Sequence, residues 1–258
     1  MRLFNNPGRS LVHSTNAMVA TSQPLASSTA IDILRRGGNA MDAAIAAAAL
    51  LAVIEPTDTG IGGDCFVLYH QKGKNKPIAF NGSGKSPKAL TRDYLINIGI
   101  KEIDNQSPHS ITIPGAVDAW WKLHKIFCKL DFEELLKPAI YYAENGYVVH
   151  ERLSRTWNSY SHRLSNQGEA REVFLKNNMP PLPGQIMENK NLAKTLKIIS
   201  KKGPEGFYKG EVAEKIVKTL NEMGGIHSLD DFEEVNGEFV EPINAKYKNN
   251  TVFQLPPN

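Results

Sequence analysis

The chain has 258 residues, with 30 basic and 27 acidic side chains for a formal charge of +3, and is 41% hydrophobic and 22% charged. That length supports one large domain or two small ones with a core needing no disulfide or metal staple, and the composition excludes wholesale disorder. So small a charge, with no basic block, argues against nucleic acid or an anionic membrane as partner.

Cys65 and Cys128 are the only cysteines and show no metal-ligand spacing, so no disulfide framework, metal or other cofactor is expected. Residues 1–10 lack the apolar stretch of a secretory signal, and the longest apolar run, 43–54, is too short to span a bilayer. The expected location is the cytoplasm.

In chain order, residues 18–21 are expected to form a short strand, with Thr21 or Ser22 capping a helix that has Pro24 in its first turn. Leu25, Ala26, Thr29, Ile31, Ile33 and Leu34 supply its apolar face, and Gly37-Gly38 stops it. Asn39 then caps a second helix over 40–54, apolar on most sides and ended by Glu55-Pro56. A glycine-rich turn at 57–63 leads to a strand over 66–70, a hairpin loop over 72–76, a returning strand over 77–80 and a flexible turn at 81–84. Beyond it, helices are expected from about 113 to 127 and over 132–145, 192–200 and 212–223, with links at 180–184, 203–210 and 224–225. A last strand is expected over 251–255, its neighbours lying in sequence that follows residue 258. The whole is a single unit, with a helix and strand core at about 18–90 and a mostly helical part at about 110–225.

Several runs resemble one family. Arg36-Gly37-Gly38-Asn39-Ala40-Met41-Asp42-Ala43-Ala44 resembles the signature near the start of γ-glutamyltransferases, and Glu55-Pro56 followed by Gly60-Ile61-Gly62-Gly63-Asp64-Cys65-Phe66 resembles the glycine-rich loop that comes next in them. Similar wording recurs at Ile113-Pro114-Gly115-Ala116-Val117, at Leu136-Lys137-Pro138-Ala139-Ile140 and at Gly206-Phe207-Tyr208-Lys209-Gly210. The resemblance implies an α+β chain of the N-terminal-nucleophile hydrolase type, with αββα layers, made as a precursor that cuts itself into large and small subunits. It also implies a small-molecule amide or peptide substrate, attacked by the N-terminal threonine of the small subunit with its own amine as base. The family's Thr-Thr-His-x-Ser cleavage context does not occur in these residues, so the chain is expected to lie within the large subunit and to need a small-subunit partner. No catalytic residue is assigned, and a noncatalytic remnant or scaffold is the competing reading.

In glutathione-processing members an arginine after the second strand clamps the substrate's α-carboxylate. Counting back from Pro87, Ser83 stands there, and Lys85 is the nearest cation. Ser83 and Lys85 are therefore the candidate substrate-binding residues, in a run closer to acylase or amidohydrolase relatives. Asp64 is read either as polar lining near a pocket or as a turn residue bonding its local backbone, Cys65 and Cys128 are expected to pack without acting as nucleophiles, and the seven scattered histidines to be surface or satisfied core residues and not ligands.

Overall fold

The computed structural model describes residues 10–165 and 168–258; the amino-terminal residues 1–9, read above for a signal, lie outside them. Helix α1 (Pro24–Arg35) starts at an N-cap formed by Gln23, whose side chain accepts from the Leu25 N–H. Pro24 in the first helical position fixes the cap one residue before itself. The expected caps are used elsewhere: Thr21 donates to the Gln23 carbonyl at 2.6 Å, and Ser22 donates to the buried Glu55 carboxylate. Residues 18–21 form no strand, because no described strand lies alongside to complete their hydrogen bonds.

Helix α2 (Ala40–Ile54) has the expected bounds, with Asn39 and Asp42 forming a reciprocal capping box. Eleven of its residues are buried, Leu50 and Ile54 completely. Each fully buried leucine or isoleucine side chain contributes roughly 1.5–3 kcal/mol.

Strands β1 (Cys65–Tyr69) and β2 (Ile78–Gly82) form an antiparallel hairpin in register Cys65↔Gly82 to Tyr69↔Ile78, so β2 runs two residues further than the sequence indicated. Helix α3 (Arg92–Asn97) follows, then α4 (Ala116–Phe127), α5 (Phe132–Asn145) and the two-residue strand β3 (Tyr147–Val148). Helices α6 (Glu151–Ser165) and α7 (Gly168–Phe174) were not expected, nor was the short strand β4 (Ile186–Met187), which pairs with β3. Helix α8 (Lys190–Lys202) leads to the one-turn helix α9 (Glu205–Tyr208), where a link was expected, then to α10 (Gly210–Glu222) and α11 (Leu229–Glu233). Strand β5 (Glu238–Val240) pairs with β2, giving the sheet order β1-β2-β5.

The chain closes on β6 (Ile243–Tyr247) and β7 (Asn250–Gln254), paired antiparallel. The last strand thus has a neighbour within this chain, in place of one from sequence after residue 258. Its partner carries the alternating pattern Ile243-Asn244-Ala245-Lys246-Tyr247, but every residue of that strand is exposed, so no run of buried apolar residues marks it.

One face of the three-stranded sheet carries α4, and Phe127 of that helix meets the sheet residues Tyr69 at 4.9 Å and Phe239 at 6.2 Å between ring centres. Behind it, α2 packs on α1 and α5, and α5 on α8. Phe66 and Leu68 point from the opposite face and are 49% and 40% exposed. The described residues therefore build helices on one side of a sheet and leave its other side open. Trp120 is buried in that helical layer, with Trp121 partly buried beside it.

Candidate functional site

Three glycine-bearing segments meet at one end of the sheet. The Gly63 carbonyl closes the loop before β1 and accepts from the N–H groups of Gly115 and Ala116, at 3.0 and 2.9 Å, at the start of α4. The Lys85 carbonyl, just after β2, accepts from the Ile113 N–H at 2.9 Å. Residues 60–64, 82–86 and 113–116 are thereby held side by side. The approach is too close for any side chain: a Cβ on Gly84 would meet the Ile113 carbonyl oxygen at 1.4 Å, and one on Gly115 would meet the Gly82 oxygen at 2.1 Å. Glycine is required here for contact between backbones.

Asp64 reaches beyond its own turn: its Oδ1 accepts from the Gly84 N–H at 3.1 Å, twenty residues away. The pairing of Cys65 with Gly82 places the residue before β1 beside the residues after β2.

Ser83 and Lys85 lie together on the rim of a cavity of about 130 Å³ that also touches Lys88, Asp231 and Glu234. The Ser83 N–H donates to Asn81 Oδ1 at 3.0 Å, which orients the turn, and its hydroxyl accepts from Asn258 Nδ2 at 3.0 Å. Lys85 is exposed, and no ion pair engages it among the described residues. Lys88 is tied up, donating from Nζ to Glu234, and that bond raises its pKa.

Asp231 joins the cavity to α11 by accepting from the Lys88 N–H at 3.0 Å and from the Ser228 N–H and hydroxyl at 3.0 and 2.7 Å. Burial pushes its carboxyl pKa up, but these bonds outweigh burial and hold it below the usual carboxylate value. A depressed carboxylate stabilises the fold fully above its unfolded pKa of about 3.9 and loses that contribution as pH falls through the folded value. Asp231→Ala should therefore cost about 1–2 kcal/mol at pH 7 in urea unfolding, as for loss of a helix cap, with the gap to the unchanged protein closing below about pH 4.

The thiols behave as the sequence indicated. Burial pushes Cys65 up to about 11, opposed by a bond to Trp120 and helped by Asp64, and burial also pushes Cys128 upward. Neither provides a thiolate at neutral pH. His227 and His124 place Nε2 against the backbone carbonyls of Ile111 and Leu130, at 2.9 and 2.8 Å. Among the described residues no group of three or more His, Cys, Asp or Glu side chains could hold a metal, and no serine, threonine or cysteine is hydrogen-bonded to a histidine ring or lysine amine. No helix among them is long and apolar enough to cross a membrane.

The helix-on-sheet order makes this an α+β chain, and its likeness to solved gamma-glutamyltranspeptidases places it in the N-terminal-nucleophile hydrolase class. The profile of the gamma-glutamyltranspeptidase family matches residues 26–258, and the chain belongs to that family. It is 38% identical over 251 residues to the glutathione hydrolase-like YwrD proenzyme of Bacillus subtilis, covering 96% of this chain and 47% of the relative. It superimposes on the gamma-glutamyltranspeptidase of Helicobacter pylori with a TM-score of 0.89 at 28% identity, over 96% of this chain and 72% of that one. It also superimposes on a cephalosporin acylase from Bacillus halodurans with a TM-score of 0.87 at 35% identity, over 99% of this chain and 50% of that one. The chain spans about half the length, or less, of the curated relatives it matches.

Proposed function

We propose that this chain forms the large-subunit part of an amide hydrolase or acyl transferase, which passes an acyl group through an acyl-enzyme to water or an amino-acid acceptor. The nucleophilic threonine and its amine base are assigned to a small subunit outside these 258 residues. The observation that carries the reading is the junction of residues 60–64, 82–86 and 113–116, where two runs that resembled the family in sequence are bonded to each other and to the run holding Ser83 and Lys85. Such a junction gives a rigid floor from which Ser83 and Lys85 reach a substrate. The two free thiols, Cys65 and Cys128, support a place in the reducing cytoplasm.

A specific observation favours acylase-like substrates over glutathione. Ser83 stands where the clamping arginine is expected, and a serine hydroxyl already accepting from Asn258 supplies no charged fork for an α-carboxylate. Lys85 is a compact point charge and replaces the fork only in part. Likeness to the cephalosporin acylase agrees with this.

The test uses the longer protein that carries the threonine, with kcat/KM measured for glutathione and for butyryl and other short-acyl amides, which lack the α-carboxylate. Glutathione should be the poorer substrate, and Ser83→Arg should improve it roughly tenfold to a hundredfold, the worth of one charged hydrogen bond. Preference for glutathione without gain from Ser83→Arg would contradict the assignment of Ser83.

A further inference from the structure

The turn that follows β2 is closed by a ring of hydrogen bonds whose direction is fixed. The Ser83 N–H donates to Asn81 Oδ1 at 3.0 Å, Asn81 Nδ2 donates to Asn258 Oδ1 at 2.8 Å, and Asn258 Nδ2 donates to Ser83 Oγ at 3.0 Å. A backbone N–H can only donate, so the Asn81 atom facing it is the carboxamide oxygen, and the other Asn81 atom is the nitrogen. The Asn258 atom that meets this nitrogen must then be an oxygen, which leaves the Asn258 nitrogen to face Ser83. Polarity therefore runs one way round the ring and ends with the Ser83 hydroxyl as acceptor. Its own proton is left over, and no acceptor takes it among the described residues.

The acceptors on the adjoining cavity are already engaged. Asp231 accepts from the Lys88 N–H and from Ser228, Glu234 is paired with the Lys88 ammonium, and Asn236 Oδ1 accepts from Lys122 Nζ at 2.6 Å. The polar groups of the lining without a partner among the described residues are the Ser83 proton, the Lys85 ammonium, the Asn236 amide nitrogen and the Ser86 hydroxyl. Three of these four only donate, and the last does either. A lining so weighted matches a ligand oxygen, and a cavity of about 130 Å³ admits only the end of an acyl chain.

We propose that Asn258 is a positioning residue, which through this ring makes the Ser83 hydroxyl a hydrogen-bond donor to an oxygen at the far end of the substrate's acyl chain. The inference rests on the reading of Ser83 as a substrate-binding residue and adds a substrate class to it: amides of acyl groups that end in a carbonyl or other acceptor oxygen, in preference to plain alkyl chains. Asn258 touches no reacting atom and acts through Ser83.

The test measures kcat and KM of the longer protein that carries the threonine for two uncharged anilides of equal chain length. In 5-oxohexanoyl-p-nitroanilide the terminal ketone accepts and cannot donate, and in hexanoyl-p-nitroanilide that end does neither. The ketone should be preferred roughly threefold to tenfold in kcat/KM, the worth of one neutral hydrogen bond, with the difference in KM. Asn258→Asp keeps the shape but puts a carboxylate where the amide donor was, so it takes the Ser83 proton and the preference should vanish. Ser83→Ala should also remove the preference, and adding Asn258→Asp to it should change nothing further. A ketone preference that is absent from the unchanged protein, survives Asn258→Asp, or shifts again in the double variant would overturn the proposal. So would an Asn258→Asp effect confined to kcat and equal for both anilides, which would mark a merely structural role. Turnover of both anilides without preference overturns the inference alone, whereas turnover of neither overturns it together with the hydrolase reading.

Discussion

Gly84→Ala should destabilise the protein by about 3 kcal/mol or more, the upper end of what overpacking costs. The added Cβ would stand 1.4 Å from the Ile113 carbonyl oxygen and 2.5 Å from its carbon, and both are backbone atoms that no rotamer change can move. Relief requires residues 113–116 to leave residues 82–86, which breaks the bond from the Ile113 N–H to the Lys85 carbonyl and strains those from Gly115 and Ala116 to Gly63. The damage should spread from Gly84 to the whole junction and take the cavity at Ser83 with it. Gly62→Ala is the control, since a Cβ there meets nothing within 4 Å and should change stability by no more than about 0.5 kcal/mol. Urea midpoints for the two variants make the comparison, and equal midpoints would show that the segments are not in contact.

Asp42→Ala should cost about 3–5 kcal/mol, because one buried carboxylate satisfies three separate backbone donors. It is fully buried and accepts from the Asn39 N–H at 2.7 Å, from the Leu130 N–H at 3.0 Å and from the Lys129 N–H at 3.1 Å. The first bond closes the capping box of α2, and the other two fasten the link between α4 and α5 onto the start of that helix. Asn39 adds a further tie by donating from Nδ2 to the Phe127 carbonyl at 2.6 Å. Asp42→Asn keeps one acceptor oxygen and should lose roughly half as much in the same urea experiment. A loss below about 1 kcal/mol for Asp42→Ala would mean that water replaces the carboxylate and that the link is not held as described.

The helices were legible in the sequence where their ends carry chemical signals. Asn39 with Asp42, and Glu55-Pro56, bound α2 to the residue, and Gly146 bounds α5. Helix α6 was missed although its pattern is present: Leu153, Trp157, Tyr160 and Leu164 recur at helical spacing and put one apolar stripe on an otherwise polar segment. Strand β5 is three residues long and exists because β2 offers it an edge, which no local pattern announces.

The site divides in the same way. The glycine loop at 60–63 was legible as a tight turn, and the Gly63 N–H does close on the Gly60 carbonyl at 3.2 Å. The bond from Gly84 to Asp64, the contact of residue 84 with residue 113 and the placing of Asp231 beside Lys88 join residues 20 to 143 positions apart. A single sequence holds no record of such pairs. Their only local trace was an excess of glycine at positions where a turn alone would not need it.

The reading that this chain carries the floor of an acyl-transfer site, and not its nucleophile, is tested most directly by release of p-nitroaniline from a short-acyl p-nitroanilide, with γ-glutamyl-p-nitroanilide beside it as the slower substrate. Two purified proteins are compared: the 258-residue chain alone, and the same chain joined to the small subunit that carries the threonine. The joined protein should turn the short-acyl anilide over, and the γ-glutamyl one more slowly, the chain alone should give only background, and threonine-to-alanine replacement in the joined protein should abolish the signal. Turnover by the 258-residue chain that survives repurification, or a joined protein as silent as the chain alone, would contradict the account.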